Sequence, residues 1–90
     1  MKIEKGQRYD FEIYRDDLSS AGKSIIATWF NNGNPVSVEL AMNKSLLEEL
    51  IRFFNRTSKK SALVSIERTS KSKYIISPTV VVVNKPRQTP

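Results

Sequence analysis

The sequence predicts a small α+β fold, mainly β with one helix, in the order strand–strand–strand–helix–strand–strand, on three observations. Tyr9, Phe11 and Ile13 alternate with polar neighbours, the period of a half-buried strand. Asn32-Gly33 lies between two apolar stretches, and both residues accept the positive φ of a tight hairpin turn. Leu46, Leu47, Leu50, Ile51 and Phe54 recur at helical spacing and form one apolar stripe.

Along the chain, Gln7 to Arg15 reads as the first strand, with Asp10, Glu12 and Tyr14 on its outer face. The segment from Asp16 to Gly22 reads as a polar connection. Ser24 to Asn31 is apolar on both faces, placing Ile25, Ala27 and Trp29 opposite Ile26, Thr28 and Phe30. Alternation alone does not say which of Trp29 and Phe30 is exposed. Val36, Val38 and Leu40 return as the third strand of a meander. Ser45 with Glu48 has capping-box spacing, and Asn43 competes as the cap. Glu48 and Glu49 near the start, and Arg52 and Arg56 near the end, suit the helix dipole; Glu48 and Arg52 are spaced as an i,i+4 pair. The helix is expected to end near Thr57.

After a basic linker, Ser58 to Ser61, a fourth strand runs from Ala62 to Thr69 with Ala62, Val64 and Ile66 inward. Ser70 to Lys73 is a turn and Tyr74 to Ser77 pairs back, until Pro78 interrupts the ladder before Val80–Val83. The expected domain is single and covers 1–83, with a flexible tail over 84–90.

Composition bounds the function. The 90 residues carry a net charge of +6, unevenly spread. Residues 1–50 hold six basic side chains against eight acidic ones, whereas residues 51–90 hold nine against Glu67 alone, so the halves carry −2 and +8. A basic half of this kind points to a polyanionic partner, nucleic acid before membrane. No apolar run approaches the roughly 18 residues of a membrane span, and the charged N-terminus lacks a signal-peptide core; a cytoplasmic location is expected.

Histidine and cysteine are both absent. That removes the usual neutral-pH base, the thiol nucleophile and the soft metal ligands, so no catalytic residue, cofactor or metal is expected and the chain reads as non-enzymatic. The one acidic cluster, Asp10, Glu12, Asp16 and Asp17, could in principle serve a divalent-metal nuclease; carboxylates flanking a turn have the simpler explanation of solvation.

Single-stranded nucleic acid is bound by cations that follow the phosphates and by flat rings on which bases stack. Candidates for the cations are Lys59, Lys60, Arg68, Lys71 and Lys73, with Arg15 and Lys23 on the other side of a groove. Candidates for stacking are Tyr14, Trp29, Phe30 and Tyr74.

The order of elements is that of an OB-fold, a five-stranded antiparallel barrel with a helix between strands three and four. The segment from Leu46 to Pro78 resembles the second half of small phage and archaeal single-stranded-DNA-binding proteins of that fold. There a helix leads to a strand with I-x-R, a tight hairpin, and a strand of the form Y-x-I-x-P. The matching positions are Ile66, Arg68, Tyr74, Ile76 and Pro78, while Ser70 and Ser72 stand where that pattern has glycines. Asn31 to Phe54 is similar to the core of dimeric single-stranded-DNA-binding transcription coactivators with a curved sheet. Both resemblances imply a binder of single-stranded nucleic acid, with DNA favoured over RNA and the choice left open by the sequence, acting as monomer or homodimer. The rival class is a small accessory or inhibitory subunit that docks on a protein of a replication or transcription complex, by its basic half or by strand addition near Val80–Val83.

Overall fold

A computed structural model describes residues 1–81. Its elements are β1 (Arg8–Tyr14), α1 (Arg15–Ser19), β2 (Ser24–Asn31), β3 (Asn34–Ala41), α2 (Lys44–Phe54), β4 (Ser61–Ser70) and β5 (Lys73–Pro78). All strand pairs are antiparallel, in the order β3-β2-β1-β4-β5. This is the expected mainly β architecture, with the strand order of a small OB-like barrel.

Register divides the residues between two faces. Phe11 pairs with Trp29 and with Val64, Ile25 with Leu40, and Ile66 with both Tyr9 and Ile76. These side chains share the inner face, where Phe11, Ile13, Val64, Ile66 and Leu40 are fully buried. Trp29 is therefore the inward member of its pair: it meets Tyr9 edge-to-face at 5.7 Å, and Tyr9 meets Phe11 at 6.4 Å. Phe30 lies on the outer face, half-buried.

The β2–β3 turn behaves as its chemistry dictates, with φ of 51° at Asn32 and 80° at Gly33. The β4–β5 turn closes without glycine. A register shift between Arg68 and Ser70 absorbs one residue, and Asn32 is the only non-glycine among the described residues with positive φ.

No described pairing joins β3 to β5. The N-terminal residues instead tie β3 to β4: the Met1 ammonium donates to Glu39 O, Ala41 N–H donates to Met1 O, and Ile3 O accepts from Arg68 on β4. Helix α2 completes the core with Leu46, Leu50 and Phe54, all buried at i, i+4, i+8 spacing, whereas Ile51 is 41% exposed at the margin.

Several local expectations are corrected. The connection after β1 contains the short helix α1, because Asp16 and Asp17 suit its first turn and Leu18 anchors it in the core. Asn43, not Ser45, caps α2: its Oδ1 accepts from Leu46 N–H at 2.8 Å. The helix ends at Phe54 rather than near Thr57, the next turn tightening through Arg56 N–H to Phe53 O and Thr57 N–H to Phe54 O. The ion pair on its surface is Glu49–Arg52 at 2.6 Å, i,i+3 instead of the Glu48–Arg52 spacing. Val80 and Val81 form no strand. Val82, Val83 and the expected tail over 84–90 lie outside the described residues. No described helix is long and apolar enough to cross a membrane.

Asn43 also donates from Nδ2 to the Tyr74 hydroxyl at 2.8 Å, tying the start of α2 to the start of β5. Asn43→Ala removes both bonds and is expected to cost about 1–2 kcal/mol. Chemical denaturation should show a lower midpoint with an unchanged m-value, and Asn43→Ser, which keeps a capping oxygen, should recover roughly half of the loss.

Candidate nucleic-acid interface

The residues singled out in the sequence divide into three groups. Arg68 and Tyr74 belong to the core, 9% and 7% exposed. Arg68 faces inward because it shares the parity of Val64 and Ile66 on β4, and its guanidinium is consumed there. It donates to Ile3 O at 2.9 Å, Lys71 O at 2.6 Å and Ser70 O at 3.3 Å, with its carbon 5.3 Å from the centre of the Tyr74 ring. Neither residue is available to a phosphate or a base, which corrects the expectation drawn from the I-x-R and Y-x-I-x-P positions. Here the arginine holds the hairpin closed and fastens the N-terminal segment to β4.

Arg15 is likewise engaged. As the first residue of α1 it reaches the open end of α2 and donates to Phe54 O at 2.9 Å, to Thr57 O, and to Lys59 O at 3.0 Å, while lying over the Phe54 ring. A cation beside the last carbonyls of a helix complements its dipole, so this arginine serves as a cap. Trp29 is turned inward and half-buried, packed against the core.

The second group is exposed and gathered. Tyr14, 48% exposed, ends the outer face of β1 opposite Ser61, and Arg15 N–H donates to Lys60 O at 2.7 Å, so Tyr14 stands beside the Lys59-Lys60 pair. Its hydroxyl leans toward Glu12, at 3.4 Å. Glu12 and Lys59 line a pocket of about 570 Å³ together with Phe53, Arg56, Leu63 and Thr79. Arg56 and Lys59 are exposed, Phe53 and Leu63 half-buried. This end of the sheet therefore holds Arg56, Lys59, Phe53 and the carboxylate of Glu12 on one depression with an apolar floor, and Lys60 and Tyr14 stand beside it. Phe53 and Leu63 were not singled out for binding in the sequence, since their spacing reads as margin of helix and strand.

The third group is exposed but scattered. Lys71 and Lys73 flank the turn at the far end of β4, roughly 30 Å from Lys59 at about 3.3 Å of rise per residue. The basic residues after the helix thus form two clusters at opposite ends of one strand. Lys23 lies at the entry to β2, exposed, its carbonyl held by Met42 N–H.

Among the described residues the only ion pair is Arg52–Glu49. Arg56, Lys59, Lys60, Lys71 and Lys73 are accordingly free of carboxylate partners there. No group of three or more acidic side chains converges on a metal site among the described residues; Asp16 and Asp17 leave the sheet on α1.

Comparison with known proteins returned no match to any family model, any curated protein or any solved structure.

Proposed function

We propose that the protein is a non-enzymatic binder of single-stranded nucleic acid with little overall sequence preference, DNA being favoured on the resemblance of Leu46–Pro78. The observation that carries this reading is the group of exposed cations without ion pairs among the described residues, Arg56 and Lys59 on the Phe53-lined pocket and Lys60 next to the exposed Tyr14. Cations in register with stackable rings are what a flexible polyanion with flat bases requires. In this reading Arg56, Lys59 and Lys60 neutralise phosphates, Tyr14 and Phe53 offer surfaces to bases, and Lys71 and Lys73 add a second, weaker contact.

Titration with a short single-stranded oligonucleotide at two salt concentrations tests it. With three phosphates neutralised, log K is expected to fall by about 2 for each decade of salt, at roughly 0.7 per contact on a single strand. An oligonucleotide that remains unbound at low salt, or binding indifferent to salt, would remove the reading.

A second reading, docking of a protein partner by strand addition, is supported by the two outer strands of the sheet, where Val36 on β3 and Ile75 on β5 are 39% and 51% exposed. A stoichiometric protein partner retained after nuclease treatment would favour it.

A further inference from the structure

The pocket beside Phe53 carries charges of both signs, and they lie at different depths. Arg56 and Lys59, from the segment after α2, are exposed, whereas Glu12 on the outer face of β1 is half-buried. Register sets Glu12 between Thr28 of β2 and Leu63 of β4, both uncharged, so the sheet offers its carboxylate no cation. Among the described residues Glu12 forms no ion pair, although Arg56 and Lys59 line the same depression. Its Oε1 accepts from the Tyr14 hydroxyl at 3.4 Å, a long contact. It belongs to no metal-holding group of acidic side chains among the described residues. An acid in this place opposes the attraction that the cations above it exert on a polyanion.

We propose, resting on the reading of the protein as a binder of single-stranded nucleic acid, that Glu12 decides which part of the strand enters this pocket. Phosphates stay on the rim at Arg56, Lys59 and Lys60, and a base turns inward against Phe53 and Leu63. A phosphate entering the depression meets a like charge in a partly dehydrated setting, where repulsion is stronger than in bulk water. A base carries no charge and presents a flat face that Phe53, Leu63 and Ala62 can cover. The repulsion therefore falls on the wrong orientation alone, and a repulsive element of this kind yields selectivity where added attraction would not. Arg56 and Lys59 by themselves would hold any polyanion. With Glu12 beneath them, the site favours a polyanion that has a neutral, flat group to insert.

The test compares labelled oligothymidylate with an abasic strand of the same length, which keeps the phosphates and lacks the bases, at one low salt concentration. The native protein is expected to bind oligothymidylate roughly tenfold tighter, the order that stacking one base on an aromatic ring supplies. Glu12→Gln breaks no ion pair and is expected to fold. It should tighten the abasic strand about tenfold and oligothymidylate about threefold or less, so that the preference shrinks. Glu67→Gln makes the same change of net charge on the outer face of β4, outside this pocket, and should tighten both strands by one small common factor. A gain for oligothymidylate in Glu12→Gln as large as that for the abasic strand, or no gain for either, would reduce Glu12 to background charge. Equal affinity of the native protein for the two strands would likewise overturn the proposal, and either result leaves the general binding reading standing. No binding of oligothymidylate at low salt would overturn both.

Discussion

Replacing Arg68 with methionine is expected to destabilise the protein by about 3 kcal/mol without altering the salt dependence of oligonucleotide binding by the molecules that remain folded. Methionine keeps most of the apolar stem, so the change isolates the polar loss from any cavity. Three carbonyl oxygens, those of Ile3, Ser70 and Lys71, lose a charged donor, and the bond to Ile3 is buried. Bonds to a charged group each contribute about 1.5–3 kcal/mol in a buried setting and less where water replaces them, so the Ile3 contact should account for most of the loss. For a chain of this size the melting temperature should fall by roughly 12–24 °C. Arg68→Lys should recover little, because one ammonium cannot span carbonyls from three directions as a planar guanidinium does. An unchanged melting temperature together with a flatter salt slope would return Arg68 to the role of a phosphate contact.

The complementary experiment neutralises the exposed cluster. Arg56, Lys59 and Lys60 changed together to glutamine should leave the fold intact, since all three side chains are exposed and none forms an ion pair among the described residues. Affinity for a single strand at 0.1 M salt is expected to fall about a hundredfold, at roughly 0.7 of a decade for each released counterion, and the salt slope should drop by about 2. Lys71 and Lys73 changed to glutamine should cost tenfold or less, since they lie at the distant end of β4. Equal losses from the two sets would mean that the strand follows the whole length of β4. A full-strength complex from the triple variant would remove this cluster as the site.

The contrast between Arg68 and Lys59 shows where sequence reasoning succeeded and where it stopped. The strands, the Asn-Gly hairpin and the helix were legible because hydrophobic period and turn chemistry are local properties. Leu46, Leu50 and Phe54 could be assigned to the core for the same reason. The two arginines were misread because a cation in a basic half resembles every other cation until its parity and its partners are known. Arg68 has the parity of Val64 and Ile66, a signal present in the sequence that would have placed it inward. Arg15 offered no such signal: what it caps is decided by the approach of α1 to the end of α2, a tertiary fact. The clustering of Tyr14 with Lys60 depended likewise on the β1–β4 register, which pairs residues 47 apart in the chain.

The attachment of α2 has a mechanical meaning. Its first turn is fastened to β5 through Asn43 and Tyr74, and its last carbonyl, that of Phe54, is held by Arg15 at the start of α1. A rod pinned at both feet can neither slide nor pivot, so α2 acts as a strut and not as a lever. Accommodation of an incoming chain is then left to the Ser20–Lys23 turn and to side-chain rotation around the pocket beside Phe53. The protein should meet its ligand as a nearly rigid surface, with an association rate set by electrostatic attraction and not by an opening step.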